Sequence, residues 1–296
     1  MKLNSLVEAG DPERLATGFK FTEGPVWMPG GSLVFSDISG NRIYQWSPEA
    51  GVAVWRDPSD NSNGLTLDTE TRLVACEHGA RRVSRTEPDG TIITLADRYR
   101  GKRLNSPNDI VAKSDGSLYF TDPVAHHLQK EDLEQPCNGL YRILPDGTVE
   151  RLVDDIVYPN GLAFSPDESI LYVVDSERGL LLAYDVHADG TLTHGGVLAE
   201  MDHPQNGFHS AGPDGMKVDV EGNLYVTGAD GIWVFEPDGT YLGNLVPRFD
   251  QRHAEPPANL TWGDADRKTL YVTACSSIYR FRMKIAGAAV PRRQGT

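Results

Sequence analysis

The sequence predicts an all-β fold: a six-bladed β-propeller with four antiparallel strands per blade, closed into a ring by the N-terminal strand. The first observation behind this prediction is a motif that recurs six times, at intervals of 40, 45, 52, 54 and 45 residues. The second is a series of short β-branched and aromatic segments joined by Asp-Gly turns. The third is the lack of any long amphipathic helical pattern. Short strands repeated about every 40–50 residues are typical of propellers.

Each repeat begins with a side chain that carries an oxygen acceptor, followed by a short apolar strand. A second and a third apolar strand come next, and most repeats then place an Asp-Gly pair before a fourth strand, as at residues 89–90 and 146–147. We number the blades 1 to 6 in chain order. Their first residues, called the opening residues below, are Glu23, Asn63, Asn108, Asn160, Asp214 and Asn259.

The sixth repeat ends after its third strand, at residues 277–282, so its outer strand is missing from that part of the chain. The N-terminus offers a replacement, because residues 13–15 precede Glu23 by the same ten positions that separate residues 150–152 from Asn160. This strand is predicted to complete blade 6 and to cover two open sheet edges. We therefore expect one domain over residues 1–296, with a core of about 12–282 and a frayed tail at 284–296.

Composition describes a soluble globular protein and restricts its partners. The chain has 296 residues, of which 39% are hydrophobic and 24% charged, so disorder and collagen-like structure are excluded. A net charge of −14 argues against binding to nucleic acid or to an anionic membrane. Three distant cysteines, no signal-peptide core and no long apolar run indicate a cytoplasmic protein. We expect a monomer or a weak homo-oligomer that acts on a small-molecule substrate.

The opening residues place oxygen-bearing side chains at one end of the predicted central channel. Asn and Asp beside Gly are also common turn residues, which is the alternative explanation for any one of them. Six such residues at one phase of the repeat favour a shared function. Two carboxylates and several carboxamides, without Cys or a paired His motif, are typical ligands of a hard cation. We expect one divalent cation, Ca²⁺ first, with Zn²⁺, Mn²⁺ and Mg²⁺ as alternatives.

The sequence resembles the SMP-30/gluconolactonase/regucalcin-like family over about residues 12–282. The resemblance implies a six-bladed propeller with one catalytic divalent ion, held by Glu23, Asn108, Asn160 and Asp214, and hydrolysis of aldonolactones. Asn108 would also lie near the substrate. The animal regucalcin branch carries an Arg where this chain has Ser106, so the substrate pocket cannot be copied from that branch. The four motifs that carry the resemblance are EGPVW at 23–27, SPND at 106–109, YPNGLAFSPD at 158–167 and PDGMKVD at 213–219.

The mechanism expected from such a site is metal-assisted ester hydrolysis, with Asp214 and Asn108 as the catalytic residues. The cation would polarise the lactone carbonyl while a water attacks its carbon. Asp214 is the candidate general base. Because a metal-bound carboxylate is a weak base, a metal-bound water and direct attack by Asp214 stay open as alternatives.

Five residues are predicted to contact the substrate. His78 and Asp122 follow second strands, which run antiparallel to the innermost ones and so return to the end of the channel that carries the opening residues. His209 lies in a long insertion at 202–212, five residues before Asp214. Each could instead be a structural or surface residue. The full predicted set is Asn63, His78, Asn108, Asp122 and His209.

Two other functions remain open on the same residues. The first is a phosphotriesterase, or an aryl-ester or other lactone hydrolase, that uses the same cation. The second is a non-catalytic calcium-binding propeller, although the Trp-Asp and Kelch signatures of interaction propellers are absent from the sequence. No Gly-x-Ser-x-Gly motif and no nucleotide-binding Gly loop occurs, which argues against a serine hydrolase and a nucleotide enzyme.

Overall fold

The computed structural model describes residues 2–125, 127–201, 212–248 and 253–290. They form six antiparallel sheets of four strands each, together with one small two-stranded hairpin. The innermost strand of every sheet contacts the innermost strands of both neighbouring sheets, so the six sheets form a closed ring around a central channel. The predicted six-bladed propeller is confirmed.

The first three blades follow the chain in order, each with its innermost strand first. Blade 6 borrows the first strand of the chain, β1 (Glu13–Thr17). Blade 1 contains β2 (Thr22–Met28), β3 (Ser32–Asp37), β4 (Arg42–Ser47) and β5 (Gly51–Arg56). Blade 2 contains β6 (Ser62–Leu67), β7 (Leu73–Glu77), β8 (Arg82–Thr86) and β9 (Ile92–Ala96). A hairpin of β10 (Arg98–Tyr99) and β11 (Lys102–Arg103) precedes blade 3, which contains β12 (Ile110–Ala112), β13 (Leu118–Asp122), β14 (Gly139–Ile143) and β15 (Val149–Val153).

The second half of the ring repeats this order. Blade 4 contains β16 (Pro159–Phe164), β17 (Ile170–Asp175), β18 (Leu180–Val186) and β19 (Leu192–Glu200). Blade 5 contains β20 (Met216–Val218), β21 (Leu224–Gly228), β22 (Gly231–Phe235) and β23 (Tyr241–Leu245). Blade 6 contains β24 (Pro257–Gly263), β25 (Thr269–Ala274), β26 (Ser277–Arg282) and β1 as its outer strand.

The ring closes where the sequence predicted. Strand β1 pairs antiparallel with β26, with Glu13 opposite Arg280 and Thr17 opposite Ser277. The Glu13 carboxylate also accepts a hydrogen bond from Arg280 Nε at 2.8 Å. Blade 6 thus contains both the start and the end of the propeller sequence, and β1 covers the sheet edge that β26 would otherwise expose.

The hydrophobic core is divided among the six interfaces between neighbouring blades. Blades 1 and 2, for example, share a cluster that includes Val34 and Leu65, and blades 6 and 1 share one that includes Phe35 and Tyr271. Four further clusters join the other neighbouring pairs. Because apolar side chains on both faces of each blade are buried, a continuous ring of apolar contacts surrounds the channel and stabilises it.

Two features depart from the sequence-based expectation. The hairpin β10–β11 was not predicted, and the expectation of a frayed tail is wrong for residues 284–290. Ala288 N donates to Val218 O at 3.0 Å and Gly287 N donates to Arg267 O at 2.9 Å, so the tail bridges blades 5 and 6. A Cβ at Gly287 would lie 1.8 Å from Trp262 Cγ, so only glycine lets the tail lie against that ring.

Helical structure is confined to short segments. Among the residues described above, two 3₁₀ turns occur, at Leu3–Ser5 and Lys130–Asp132. In those same ranges no helix has the length and apolar character needed to cross a membrane.

Candidate functional site

The innermost strands bring the opening residues to the same end of the channel. Glu23, Asn63, Asn160 and Asn259 lie inside β2, β6, β16 and β24, whereas Asn108 precedes β12 by two residues. Asp214 precedes β20 by the same interval. Their strand positions exclude the explanation that Asn63, Asn160 and Asn259 merely form turns. All are buried except Asp214, which is half-buried.

Glycines beside the opening residues allow neighbouring blades to approach closely. A Cβ at Gly161 would lie 2.1 Å from Asp214 O, and one at Gly64 would lie 2.6 Å from Asn108 O. Both distances are shorter than real Cβ contacts. The Asn-Gly pairs therefore serve packing between blades rather than turn formation.

Hydrogen bonds to their main-chain atoms hold several opening residues in place, and two of these bonds come from side chains of the preceding blade. Ser36 Oγ donates to Asn63 O at 2.7 Å, and Thr121 Oγ1 donates to Asn160 O at 2.9 Å. Asp214 N donates to Thr227 O at 2.9 Å within its own blade. The backbone of the site is thus built into the sheets and does not depend on mobile loops.

Side-chain hydrogen bonds orient two of the carboxamides. Asn63 Nδ2 lies 3.1 Å from Asn108 Oδ1 and 3.2 Å from His78 Nε2, and Asn160 Nδ2 donates to Ser176 Oγ at 3.0 Å. Since these contacts occupy the amide nitrogens, the oxygens point elsewhere. Among the described residues, Asn63 Oδ1 and Asn160 Oδ1 are buried without a hydrogen-bond donor. A buried acceptor of this kind is costly unless it gains a ligand or a water.

Three carboxylates crowd the same end of the channel. Burial raises the pKa of Glu23 well above its ordinary value, and the charges of Asp214 and Asp109 raise it further. Burial, with a contribution from Asp109, raises the pKa of Asp214 to about 7. Burial also raises the pKa of Asp109. Like charges held together out of water would be relieved by a bound cation.

These donors fit a hard divalent cation. Glu23 and Asp214 supply carboxylate oxygens, while Asn160 and Asn108 supply carboxamide oxygens, which are ligands that Ca²⁺ prefers. Within the described ranges, no group of three or more His, Cys, Asp or Glu residues is arranged to hold a metal. The candidate set differs from such groups because half of its members are asparagines.

His78 lies beside the opening residues, as the sequence predicted. Burial lowers the pKa of His78 to about 3, and the neighbouring His127 contributes to this shift. The two rings stack with centroids 5.6 Å apart. His78 is therefore neutral near pH 7. Its Nε2 lies 3.2 Å from Asn63 Nδ2.

Asp122 is fully buried, and backbone groups bind its carboxylate. Its Oδ2 accepts a hydrogen bond from Asn105 N at 2.8 Å, and Ser106 N also donates to the carboxylate. Asp122 Oδ1 has no hydrogen-bond partner among the described residues. Burial raises the pKa of Asp122 to about 7, against the effect of these donors. Asp37 and Asp175 bind the segments before their own innermost strands in the same way. In this position Asp122 orients the segment that leads to Asn108, and its contact with a substrate stays a prediction.

The remaining predicted residue, His209, lies outside the described residues. The sequence did not predict two residues of the site. Asp109 was not identified as a candidate, and Asn259 was identified only as an opening residue without a contact to Glu23. A signal for Asp109 was present, because it stands where blades 1, 2, 4 and 5 have a glycine after the opening residue. Asn259 Nδ2 donates to Glu23 Oε2 at 2.9 Å, which joins blade 6 to blade 1.

The opposite end of the channel has different chemistry. It contains a cavity of about 340 Å³ lined mainly by apolar side chains such as Leu65 and Ile110, with Lys217 on its wall and residues 288–290 along its edge. None of the six opening residues belongs to that lining. We therefore place the candidate functional site at the end that carries the opening residues.

Comparison with known proteins agrees with this geometry. Residues 21–276 match the SMP-30/Gluconolactonase/LRE-like region. The chain belongs to the SMP-30/gluconolactonase/LRE-like family. Among members of this family, a gluconolactonase of Zymomonas mobilis subsp. mobilis is 32% identical, over 97% of this chain and 85% of the relative. The resemblance drawn from the four sequence motifs is confirmed.

Solved structures support the same family and fold. XC5397 of Xanthomonas campestris, described as a gluconolactonase important in glucose secondary metabolic pathways, superimposes with a TM-score of 0.82 at 34% identity. The match covers 95% of this chain and 92% of that one. A regucalcin of Agrobacterium tumefaciens, described as a calcium-binding protein, has a TM-score of 0.75 at 17% identity over 97% and 98% of the chains. This second similarity shows the shared propeller fold.

Proposed function

We propose that the protein is a divalent-metal-dependent lactonase that opens sugar lactones of the gluconolactone type to aldonic acids. The observation that carries this proposal is the group of oxygen-bearing side chains at one end of the channel, Glu23, Asn108, Asn160 and Asp214. It occurs in a chain that is 32% identical to a gluconolactonase over nearly its whole length. Ca²⁺ is the proposed cation because the ligand set contains only oxygen.

The proposed reaction is attack of water on the lactone carbonyl carbon. When bound, the cation supplies a Lewis acid for the carbonyl oxygen. Asp214 is proposed to accept the proton of the attacking water. The water oxygen forms the new bond to the carbonyl carbon. The ring oxygen leaves with the electron pair of the broken C–O bond and takes up a proton, which gives the aldonic acid.

Asn63, Asn108 and His78 are proposed to bind the substrate. Asn63 Oδ1 is a buried acceptor that no donor in the described part of the chain satisfies, so it suits a sugar hydroxyl. The neutral His78 ring carries one N–H donor and one acceptor. Because the hydrogen bonds among these three residues link blades 2 and 3, the substrate contacts and the metal ligands share one rigid support.

The test is hydrolysis of D-glucono-1,5-lactone before and after treatment with EDTA, with Ca²⁺, Zn²⁺, Mn²⁺ and Mg²⁺ added back separately. We expect chelation to abolish activity and Ca²⁺ to restore it. Asp214→Ala should remove activity, whereas Asp146→Ala, in a hairpin turn, should not. Activity that survives both chelation and Asp214→Ala would refute the metal mechanism. Activity on phosphotriesters alone would favour the alternative hydrolase, and cation binding without any hydrolysis would favour a binding protein.

A further inference from the structure

The Asp109 carboxylate lies on the axis of the propeller, directly after Asn108. It is buried, and its Oδ1 accepts a hydrogen bond from Ile110 N in blade 3 at 2.9 Å. The backbone N–H of Leu162 in blade 4 also donates to it. On the side of blade 2, a Cβ at Gly64 would lie 2.6 Å from Asp109 Oδ1. Several blades therefore converge on this one carboxylate.

Asn259 links this axial carboxylate to a candidate metal ligand. Its Nδ2 lies 2.9 Å from Glu23 Oε2 and 3.5 Å from Asp109 Oδ2, so one amide group spans the two carboxylates. Its Oδ1 accepts from Leu260 N at 2.8 Å, which turns the nitrogen toward the acids. The side chain packs over Gly215, where a Cβ would lie 2.2 Å from Asn259 Cγ. Position 215 therefore has to be glycine for the Asn259 side chain to lie there.

We propose that Asp109 and Asn259 are positioning residues that set the geometry of the cation site. Asn259 holds Glu23 at a fixed distance from Asp109. This inference rests on the proposed function, because it assumes that Glu23 and Asp214 hold a cation. Residues that orient metal ligands through hydrogen bonds commonly change metal affinity by about 10–100-fold when they are replaced.

Two variants break the link between Glu23 and Asp109. Asn259→Leu removes the amide group that spans the two carboxylates and should weaken Ca²⁺ binding by about 10–100-fold. Because this change keeps the charge, it should weaken the binding of La³⁺ by a similar factor. Asp109→Asn removes the carboxylate beside the Asn259 amide and should also weaken Ca²⁺ binding by about 10–100-fold.

The measurement is isothermal titration calorimetry of the chelator-treated full chain with Ca²⁺ and, separately, with La³⁺. Asp219→Asn is the matched control, since Asp219 is a buried carboxylate at the far end of blade 5 that hydrogen-bonds to Asn223 and Tyr225. Circular dichroism verifies that each variant is folded. Asn259→Leu tests the proposal even if Asp109→Asn fails to fold.

The outcomes distinguish this inference from the proposed function. A wild-type protein that binds neither ion overturns both. Wild-type Ca²⁺ binding with unchanged constants in the Asp109 and Asn259 variants overturns the inference and leaves the lactonase proposal standing. An Asn259→Leu variant that binds both ions like wild type refutes the positioning role of Asn259.

Discussion

Gly161→Ala should damage the site by moving Asp214 away from Asn160. The added Cβ would lie 2.1 Å from Asp214 O and 2.8 Å from Gly215 Cα. Ordinary contact begins at 3.4 Å, so the Asp214 carbonyl has to move by about 1.3 Å. The contacted atoms belong to the backbone and cannot rotate aside. Asp214 is also held by its hydrogen bond to Thr227 O, so the strain falls on the interface between blades 4 and 5.

The displacement predicts losses in both activity and stability. A shift of about 1 Å in a positioned catalytic group can cost about 100-fold in rate, so we expect kcat/KM for D-glucono-1,5-lactone to fall by about that factor. Overpacking of this kind costs about 1–3 kcal/mol in the free energy of unfolding. A Cβ at Gly64 would meet its nearest atoms at 2.6 Å, so Gly64→Ala should lower activity and stability less than Gly161→Ala does.

Steady-state kinetics and urea unfolding of both variants test this reasoning. Gly30→Ala is the control, because no atom lies within 4 Å of a Cβ built there. Activity and stability of Gly161→Ala equal to those of Gly30→Ala would refute the close-approach argument. A loss of stability with normal kcat/KM would show that the overlap is absorbed without moving Asp214.

Three further predictions concern side chains around the site. Asp122→Ala leaves Asn105 N without its acceptor and should lower the free energy of unfolding by about 1–3 kcal/mol in urea; a neutral effect would contradict the positioning role. Because the pKa of His78 is lowered to about 3, its neutral form stabilises the fold fully above about pH 6.5, and this contribution is lost as pH falls toward 3. His78→Gln should therefore flatten the acid side of the stability curve. Glu23→Gln removes a buried charge that repels the other carboxylates of the site. Calorimetry should therefore show a higher melting temperature without Ca²⁺ and a smaller rise of the melting temperature when Ca²⁺ is added. A rise as large as that of the wild-type protein would contradict the role of Glu23 as a ligand.

Local sequence patterns predicted the parts of the fold that depend on neighbouring residues. Residues close together in the sequence determine the strands, the Asp-Gly turns and the spacing between Glu13 and Glu23. The blades and the closure of the ring by β1 were therefore predictable. The same register identified the opening residues. The residue types of Asn63 and Gly64 favour a turn, yet both residues lie in strand β6, so the pair alone did not predict the structure. The packing of Asn108 O against Gly64 decided it.

Tertiary structure alone decided which side chains meet. Asp122 and His78 have similar positions in their repeats, yet the first is enclosed against Asn105 N and the second lies against Asn63. The contact between Asn259 and Glu23 spans 236 positions in the chain. No periodicity in the sequence encodes such a distance, because it depends on how six separate blades close around one axis.

The sequence by itself determined that this chain forms a six-bladed propeller with acids and amides at one end of its channel. The reason is that each repeat carries its own strands, turns and opening residue. Only the tertiary structure decided that Asp109 lies on the axis, that Asn259 spans two carboxylates, and that the tail crosses Trp262. These contacts join residues from different blades, and ring closure rather than local pattern brings them together.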